Sequence, residues 1–379
     1  MIHIGLNAHL LSGRAGYRSA GIHGYIYHTL ANLHAAAPDG WQFTALVGAD
    51  NFSTLDGITM RRSRMNTESP IRRILWEQVA QPAQLAEYDL YHAMAFVSPL
   101  ILSKPSVVTV YDLSFIHYPQ VLSTSRRLYL RFLTAHSCRR ARRVIAISQS
   151  TARDLTASLR IPAGKIDVAA PGFDSSIYKP LSQKAVAQFR VRQGLPERFW
   201  LFLGTLEPRK NLLVLLRAYA ALPKSERLPL ILAGGKGWDY EAIFQAVRDY
   251  GLDGEVQFPG YLPVEDLPLW YNSAEVFLYP SLFEGFGLPA LEAMACGTPV
   301  IVSDASSLPE VAGQAGLCLP PHEVEAWVDA LHRAYHDAEW RELASSKGLT
   351  EARRFSWEET AAQTIASYQQ ALNEKYDTT

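Results

Sequence analysis

The sequence predicts an α/β protein built from two doubly wound parallel-sheet domains. The chain has 379 residues, more than one hydrophobic core usually supports, so two domains are expected. In both halves, short apolar segments of strand length alternate with longer helical segments, the pattern of parallel sheets covered by helices. Hydrophobic residues make up 48% of the chain and charged residues 19%, which indicates a folded globular protein and excludes a disordered one.

The N-terminal half contains candidate strands that are short and rich in Val, Ile and Leu. These strands span residues 2–5, 42–47, 90–92, 107–110, 143–147 and 166–168. The segments between them have apolar residues at spacings of three and four, which predicts helices. These helices span residues 24–35, 76–85, 125–138 and 149–159.

The C-terminal half repeats this alternation. Its candidate strands span residues 200–203, 230–233, 256–259, 276–279 and 300–302. Its candidate helices span residues 212–221, 240–250, 263–272 and 289–295, and amphipathic helices at 324–336 and 357–372 finish the chain.

Prolines and a glycine around Pro171 and Pro180 separate the halves. We therefore expect a first domain at 1–180 and a second at 181–356, with 357–379 as a C-terminal helical segment. Open parallel sheets bind ligands at the carboxyl ends of their strands. A cleft between the two domains is the expected site.

The run SLFEGFGLPALEAMACGTPV at residues 281–300 is the most informative stretch. An apolar strand precedes it, a turn with Gly285 and Gly287 follows, and then a helix begins. A strand, a glycine turn and a helix N-terminus together bind anions through unpaired N–H groups. Glu284 and Glu292 would accept hydrogen bonds from hydroxyl groups at such a place. The combination indicates a sugar nucleotide.

A second stretch, GTLEPRKN at 204–211, also follows a strand. Arg209 and Lys210 lie in its loop, and Asn211 is a candidate N-cap of the next helix. A lysine beside a helix N-terminus suits a diphosphate, whose charge it can neutralise. An ordinary basic surface loop is the alternative, and the motif alone favours that alternative.

Weaker candidates also follow strands. Gly235 lies in the run AGGKG, and Gly21 lies in a glycine-rich loop at 12–24, where each could approach phosphates or simply form a turn. Tyr111 and Asp112 end an apolar strand at the functional edge of the sheet, although Asp112 can equally cap the following turn.

Several other chemistries are excluded by missing motifs. The chain has no G-x-x-x-x-G-K-[ST] loop, no H-E-x-x-H helix, no G-x-S-x-G elbow and no D-x-D metal triplet, so no catalytic metal is expected. A dinucleotide-like pattern, G-x-G-x-x-A, spans 285–290, with Glu310 beyond it. That pattern normally lies in the first strand–helix turn of a domain, so a nicotinamide oxidoreductase is a poor alternative.

The charge is distributed unevenly. Residues 1–185 carry 20 Lys+Arg and 11 Asp+Glu, whereas the remainder carries 16 and 26. Arginines concentrate in a predicted basic helix at 126–143, interleaved with Leu, Tyr and Phe. This helix suits an anionic membrane surface, and a solvated helix face is the alternative. A nucleic-acid partner is not expected.

Location is expected to be cytoplasmic, with a peripheral position at the inner face of a membrane. No apolar run reaches the length of a bilayer span, and the N-terminus lacks the features of a signal peptide. Three cysteines without metal-type spacing are expected to be reduced thiols.

These motifs together resemble the retaining glycosyltransferases of family 4, which have the glycosyltransferase B fold of two Rossmann-like domains. The resemblance rests on the runs at 204–211 and 279–299, on FPGY at 258–261, and on fainter similarity at 144–151, 171–174 and 355–360. It covers essentially the whole chain. It implies that the last helix returns to the N-terminal domain.

The resemblance also implies a function for each site residue. Catalysis would depend on Glu284, which holds hydroxyls of the donor sugar, and on Lys210 and Arg209, which hold the diphosphate. Glu292 would hold the ribose. The other implied donor-binding positions are Gly21, Gly204, Thr205, Gly235, Gly260, Tyr261, Gly285, Phe286, Gly287 and Leu288.

Two positions depart from the family pattern. Tyr111, before Asp112, stands where many relatives carry a His that touches the sugar, and Thr205 stands where many carry an Arg.

The implied reaction moves a mannose- or glucose-type hexose from a GDP- or UDP-linked donor to a polysaccharide or lipid-diphosphate-linked acceptor, without cofactor or metal. A non-catalytic nucleotide-sugar-binding protein remains an alternative.

Overall fold

The structure is a computed structural model that describes residues 1–11, 21–48, 54–65, 67, 69–121 and 123–373. Its contacts divide the chain into two compact units. The N-terminal unit comprises Met1–Gly172 together with the chain from Ser356 onward, and the C-terminal unit comprises Phe173–Phe355.

The strands of the described residues are all short and mostly buried. They are β1 (Ile2–Asn7), β2 (Trp41–Val47), β3 (Ile58–Arg62), β4 (Leu90–Ala93), β5 (Ser106–Val110), β6 (Arg143–Ala146), β7 (Ile166–Val168), β8 (Trp200–Leu203), β9 (Leu230–Ala233), β10 (Val256–Gly260), β11 (Val276–Tyr279), β12 (Val300–Ser303) and β13 (Leu317–Leu319).

The α-helices of the described residues are α1 (Ile22–Ala36), α2 (Pro70–Leu75), α3 (Ser114–His117), α4 (Thr124–Arg140), α5 (Gln149–Leu159), α6 (Gln183–Gln193), α7 (Leu212–Ala221), α8 (Glu241–Asp249), α9 (Leu267–Ser273), α10 (Leu288–Ala295), α11 (Leu308–Ala312), α12 (Val324–His336), α13 (Ala338–Ala352) and α14 (Trp357–Asn373).

Each unit contains one parallel sheet. In the N-terminal unit the seven strands have the order β3-β2-β1-β4-β5-β6-β7, and in the C-terminal unit the six strands have the order β10-β9-β8-β11-β12-β13. Every strand pair within the two sheets is parallel. In both sheets the strand order reverses beside the first strand of the unit, which is the doubly wound arrangement. The predicted fold class is confirmed.

Helix α14 packs in the N-terminal unit. The His28 ring of α1 stacks on Trp357 with ring centroids 4.7 Å apart. His92 of β4 is hydrogen-bonded through Nδ1 to the Tyr368 hydroxyl at 2.6 Å and through Nε2 to Thr109 Oγ1 at 2.7 Å. Burial lowers the pKa of His92 to about 3, so the imidazole is neutral at physiological pH. These contacts connect the end of the chain to the first sheet.

The segment predicted as one regular helix at 76–85 is helical but not a regular α-helix. The segment begins earlier, as α2, continues as a π-helical turn at Trp76–Ala80 and ends in a 3-10 helix at Pro82–Glu87. The Gln81 N–H donates to the Trp76 carbonyl oxygen at 2.9 Å, which is the wider π pattern. Pro82 has no N–H to donate, so a regular α-helix cannot continue through it.

The predicted basic helix at 126–143 is also too long, because α4 ends at Arg140. Arg142 donates to the Ala371 carbonyl oxygen at 2.6 Å. Arg143 belongs to β6, is 8% exposed, and forms an ion pair with Asp167 of β7, in which Nε and Oδ2 are 2.9 Å apart. A buried arginine that is paired with a carboxylate on the neighbouring strand is part of the sheet and cannot contact a membrane.

Sequence analysis missed β3 and β13, which lie at sheet edges, and the helices α3, α6, α11 and α13. Edge strands are covered on fewer sides, so their apolar pattern is weaker than that of central strands. Within the described residues, no helix combines the length and the apolar character that crossing a bilayer requires. Cys138, Cys296 and Cys318 are free thiols, and the first two are buried.

Candidate active site

A buried cluster of two cations and a carboxylate lies in the C-terminal unit. The Lys210 ammonium donates to Glu284 Oε1 at 2.6 Å, and the Arg209 guanidinium donates to Glu284 Oε2 at 3.2 Å. Arg209 also donates to the Phe283 carbonyl oxygen at 2.6 Å and to Glu207 Oε1 at 3.0 Å. Lys210 is 5% exposed and Glu284 is 8% exposed. Glu284, which the family resemblance implies to be catalytic, therefore contacts both of the other implied catalytic residues, Lys210 and Arg209.

Two neighbouring strands bring these side chains together. Strand β8 leads into a 3-10 turn at Pro208–Lys210, and strand β11 leads into the loop that carries Glu284. Because β8 and β11 are adjacent and parallel, both loops leave the same edge of the sheet. The Leu282 N–H donates to the Arg209 carbonyl oxygen at 2.9 Å, which fixes one loop on the other.

Asn211 does not cap helix α7 through its side chain, contrary to the prediction. The residue stands at the N-cap position but has a left-handed backbone, with φ of 57°, and its side chain makes no capping hydrogen bond. Its Nδ2 donates to the carbonyl oxygens of Pro280 at 3.2 Å and Pro321 at 2.6 Å. The side-chain amide thus holds the loops after β11 and β13 against the 3-10 turn that ends at Lys210. The local sequence does not reveal this role, because both hydrogen-bond partners lie far away in the chain.

The electrostatics of the cluster keep Glu284 ionised. Burial alone would raise the pKa of Glu284, but the Lys210 ammonium and the Arg209 guanidinium outweigh burial and lower this pKa to about 2. Burial also lowers the pKa of Lys210, and the Glu284 carboxylate opposes that effect. A carboxylate with such a low pKa acts as a hydrogen-bond acceptor at neutral pH and cannot donate a proton.

Tyr279 is a site residue that sequence analysis missed. Its hydroxyl oxygen accepts from the Lys210 ammonium at 2.7 Å, and the ammonium also lies 4.8 Å from the Tyr279 ring centroid. Burial raises the pKa of Tyr279 well above its ordinary range, so the hydroxyl stays protonated. The residue ends strand β11, and that position at the carboxyl end of a strand is the one sequence signal that could have identified it.

Three serines at and just after the end of strand β12 hold the loop between β11 and α10. Ser307 donates to the carbonyl oxygens of Glu284 at 3.0 Å and Phe286 at 2.7 Å, and Ser306 donates to the Glu284 carbonyl oxygen at 2.6 Å. Ser303 donates to the Ser281 carbonyl oxygen. Ser303 and Ser307 are fully buried, so these bonds are protected from water. Sequence analysis missed all three serines because they act across the fold.

Glycine is required at two points of the site. Gly287, the N-cap of α10, has φ of 110°, and a Cβ there would lie 2.6 Å from Leu308 Cδ2. Gly234 follows β9, and a Cβ there would lie 1.9 Å from the Gly204 carbonyl oxygen. A side chain at Gly234 would displace the backbone at Gly204, whereas one at Gly287 would strain the local backbone and push the Leu308 side chain aside.

Glu292 lies on α10 in a different environment from Glu284. Its Oε2 accepts from the Tyr271 hydroxyl at 2.9 Å. Burial raises the pKa of Glu292 to about 7, against hydrogen bonds from Tyr271 and Tyr178 that lower it. Among the described residues, no cation contributes to this balance, in contrast to Glu284. The two glutamates therefore differ in charge behaviour although one sequence run carries both.

The other predicted donor-site positions of this unit follow strand ends as expected. Phe286 is 4% exposed and packs edge-on against Phe355 with ring centroids 5.3 Å apart, so only its backbone can serve a ligand. Tyr261 is 49% exposed. Gly204 and Thr205 follow β8, Gly235 follows β9, and Gly260 is the last residue of β10. Gly285 lies in the loop between β11 and α10, and Leu288 is the first residue of α10.

Tyr111 and Asp112 lie in the N-terminal unit. The Tyr111 side chain is buried, and its hydroxyl donates to the Met94 carbonyl oxygen at 2.7 Å. Asp112 Oδ1 accepts from the Ser114 N–H at 2.8 Å, which is the turn-capping alternative of the sequence analysis. A role of either residue beside the donor sugar stays a prediction.

Gly21 is exposed and stands at the N-cap of α1 with φ of 67°. Residues 12–20 of the predicted phosphate-contacting loop lie outside the described residues. A contact between Gly21 and phosphate therefore stays a prediction.

Both units match glycosyltransferase family models. Residues 186–349 match the family described as glycosyl transferases group 1, and residues 21–177 match the family described as glycosyltransferase family 4. The chain is 38% identical over 282 residues to O-antigen chain mannosyltransferase B of Escherichia coli, a match that covers 74% of each chain. It is 34% identical over 245 residues to serotype-specific mannosyltransferase WbdA of Escherichia coli, covering 63% of this chain and 30% of that longer protein.

Solved structures agree with this family. The chain is similar to the sucrose-phosphate synthase tll1590 of Thermosynechococcus elongatus, with a TM-score of 0.77, 25% identity, and coverage of 98% of this chain and 99% of the other. The nicotinamide oxidoreductase alternative is not favoured by any of these matches. The chain belongs to the group 1 and family 4 glycosyltransferases, and it is a transferase with the glycosyltransferase B fold.

Proposed function

We propose that this glycosyltransferase moves a mannose-type hexose, or else a glucose-type one, from a GDP- or UDP-linked donor to a polysaccharide or lipid-diphosphate-linked oligosaccharide. The anomeric configuration of the sugar is retained, and no metal takes part. The two Escherichia coli relatives named as mannosyltransferases support a hexosyl donor. Their names also favour mannose over glucose.

The contact of Lys210 and Arg209 with Glu284 is the observation that carries this proposal. A departing diphosphate needs positive charge, and a donor sugar needs hydroxyl acceptors, next to each other. The buried cluster supplies both at one sheet edge, beside the N-terminus of helix α10. Without donor, Glu284 holds the cations in place; with donor, the cations are shared with the diphosphate.

The proposed step needs no protein nucleophile. The acceptor hydroxyl forms a bond to the anomeric carbon on the face from which the diphosphate leaves, while the bond from that carbon to the phosphate oxygen breaks. The hydroxyl proton passes to the departing phosphate oxygen, and the nucleoside diphosphate leaves. Lys210 and Arg209 stabilise the negative charge that develops on this oxygen. Glu284, ionised because of its low pKa, orients the sugar through its hydroxyls.

Two substitutions test the proposal. Lys210→Ala should lower kcat at least about 100-fold with a panel of GDP- and UDP-hexoses, because it removes positive charge beside the departing phosphate oxygen. Glu284→Gln should also lower kcat at least about 100-fold, because it removes the ionised acceptor that orients the sugar hydroxyls. Lys184→Ala, an exposed lysine on α6, is the matched control and should keep wild-type kcat. Wild-type turnover in both site variants would refute the assignment of the site.

We also propose that the N-terminal unit docks on an anionic membrane surface. Its support is an exposed apolar surface formed by three segments: α2 with the π turn, the loop at 98–101, and α4. The Leu100 N–H donates to Gln78 Oε1 at 2.9 Å, and the Ser98 N–H donates to Ser137 Oγ at 2.9 Å, so the three segments adjoin. Exposed residues of this surface are Ile71, Leu75, Val79, Leu100, Ile101, Leu128 and Phe132, with Arg126 and Arg131 beside them.

Vesicle sedimentation tests this surface. A Leu128→Ser, Phe132→Ser double variant should bind vesicles of anionic lipid at least about tenfold more weakly. It loses two apolar side chains that would insert into the lipid, and such insertion strengthens interfacial binding. Val191→Ser, at an even more exposed apolar residue on α6, is the control and should bind like wild type. Equal binding of all three proteins, or equal binding of wild type to neutral vesicles, would contradict the proposal.

A further inference from the structure

Three potential metal ligands of the C-terminal unit lie close together. Lys210 precedes helix α7, and this cluster lies beyond the other end of that helix. The carboxylate of Glu226 has Oε1 3.2 Å from His336 Nε2 and Oε2 3.7 Å from His332 Nε2. The imidazole rings of His332 and His336 have centroids 4.5 Å apart. One ligand atom from each of the three residues lies within 4.8 Å of the others.

The chain brings these residues together from two places. His332 and His336 are one turn apart on α12, so both side chains lie on the same face of the helix. Glu226 ends a 3-10 turn at Lys224–Glu226, between helix α7 and strand β9. Helix α12 packs on α7, which places the turn opposite the two imidazoles.

Glu226 gives a second, independent indication of a ligand. Its Oε2 atom is buried and has no hydrogen-bond partner in the described part of the chain. A buried carboxylate oxygen without a partner is costly unless a cation or a donor satisfies it. The His332 Nε2 atom lies 3.7 Å from this oxygen, beyond hydrogen-bond distance. A cation between the three side chains would satisfy this oxygen.

We propose that Glu226, His332 and His336 bind a divalent first-row transition ion, with Zn²⁺ as the expected occupant. Two imidazoles and a carboxylate are a common ligand set for Zn²⁺, with water as the fourth ligand. Bonds of about 2.0–2.1 Å in a tetrahedral site separate neighbouring ligand atoms by about 3.3 Å. The observed separations of 3.2 and 3.7 Å need only small side-chain movements to reach this geometry. His332 and His336 have side chains 56% and 50% exposed, so an ion can enter from solvent.

The position of the metal site indicates a structural function. Glu226 precedes β9 and therefore lies at the amino-end edge of the sheet, whereas Lys210 follows the carboxyl end of β8. Helix α7 alone, at Leu212–Ala221, spans about 15 Å between the two ends. The ion would fasten the turn that ends at Glu226 to helix α12 and would take no part in sugar transfer. This agrees with the proposal that the transfer step needs no metal.

Metal titration of the full-length protein tests this site. After removal of bound metal with a chelator, calorimetric titration with ZnCl₂ should give one ion per chain, and Co²⁺ should give the intense visible absorption of a tetrahedral complex. His332→Ala and His336→Ala should each weaken Zn²⁺ binding more than about 100-fold, because each removes a direct ligand. Glu226→Gln should weaken it at least about tenfold and abolish the Co²⁺ absorption. Saturating Zn²⁺ should raise Tm by several degrees in wild type and not in these variants.

His322→Ala is the matched control, an exposed histidine just before α12 that should leave Zn²⁺ binding unchanged. Circular dichroism should show that each variant is folded, because the two histidines are exposed and Gln keeps the shape of Glu226. Zn²⁺ binding that is unaffected by either of the α12 substitutions, or weaker than about 1 mM in wild type, would overturn the proposal. Unchanged binding in Glu226→Gln would also overturn it, because the histidine pair would then bind alone. Transferase activity should survive removal of the metal.

Discussion

Replacement of Glu292 by Gln should stabilise the protein at high pH and weaken donor binding at the same time. The pKa of Glu292 is raised from 4.5 to about 7 in the folded protein, mainly by burial. Below pH 4.5 the carboxyl group is protonated in both folded and unfolded chains, so Gln and Glu should be equally stable. Between pH 4.5 and 7 the unfolded chain releases its proton first, and folding with Glu becomes progressively less favourable.

The magnitude follows from the size of the pKa shift. A rise from 4.5 to about 7 corresponds to at most about 3 kcal/mol of lost stability above pH 7. Gln is neutral and keeps an acceptor for the Tyr271 hydroxyl, so Glu292→Gln should recover this energy. In a domain of this size the gain corresponds to a rise in Tm of about 6–12 °C at pH 8 and almost none at pH 4.5. Donor KM should rise about 10- to 100-fold, because a charged acceptor of the proposed ribose contact is lost.

Calorimetric Tm values at pH 4.5, 6 and 8 provide the assay, with donor KM measured at pH 8. Glu284→Gln is the matched control and should behave in the opposite way, since its pKa is lowered to about 2. Glu284 stabilises the fold above pH 4.5, and that stability is lost as the pH falls through 2. Glu284→Gln also leaves Lys210 buried without its partner, which should cost about 3 kcal/mol or more. A Glu292→Gln gain that is independent of pH, or a loss at pH 8, would refute this reasoning.

Three further outcomes are expected. Tyr368→Phe should lower the free energy of unfolding by about 1–3 kcal/mol, measured in urea, because buried His92 Nδ1 loses its partner; an unchanged value would contradict the packing of α14. Gly287→Ala should destabilise by about 1–3 kcal/mol and lower kcat, since its φ of 110° is strained for Ala and its Cβ meets Leu308; a wild-type Tm would count against that geometry. Ser307→Ala should raise donor KM by freeing the carbonyl oxygens of the glutamate loop, and an unchanged KM would show that the loop needs no such support.

Much of the fold could be read from local sequence pattern. The central strands are short and buried, so their apolar runs identify them whatever surrounds them. The glycine turn and helix start at 285–289 are also local, because backbone geometry and capping depend on adjacent residues. The segment at 76–85 shows the limit of this reasoning, since helical periodicity did not reveal the π turn that precedes Pro82.

Other features depend on residues far apart in the chain. Arg143 was counted both in the basic helix at 126–143 and in the strand at 143–147, and the structure confirms the strand, where Asp167 on the neighbouring strand is its partner. Tyr279 and Ser307 were missed because a hydroxyl in an apolar or serine-rich stretch carries no local signal of its partner. Side-chain hydrogen bonds across loops become visible only when the strands that carry those loops are paired.

The sequence by itself determined that the protein has two parallel sheets and that the second domain carries a glycine turn, a helix N-terminus and two glutamates. Hydrophobic periodicity and turn chemistry are local properties, so they can be recognised without the tertiary structure. Only the tertiary structure decided the ionisation state of each glutamate. Glu284 meets Lys210 and Arg209 and stays ionised, whereas Glu292 meets the hydroxyls of Tyr271 and Tyr178 and holds its proton up to a pH of about 7. The physical reason is that the charge of a buried carboxyl group depends on which cations the fold places beside it, and those cations come from another part of the chain.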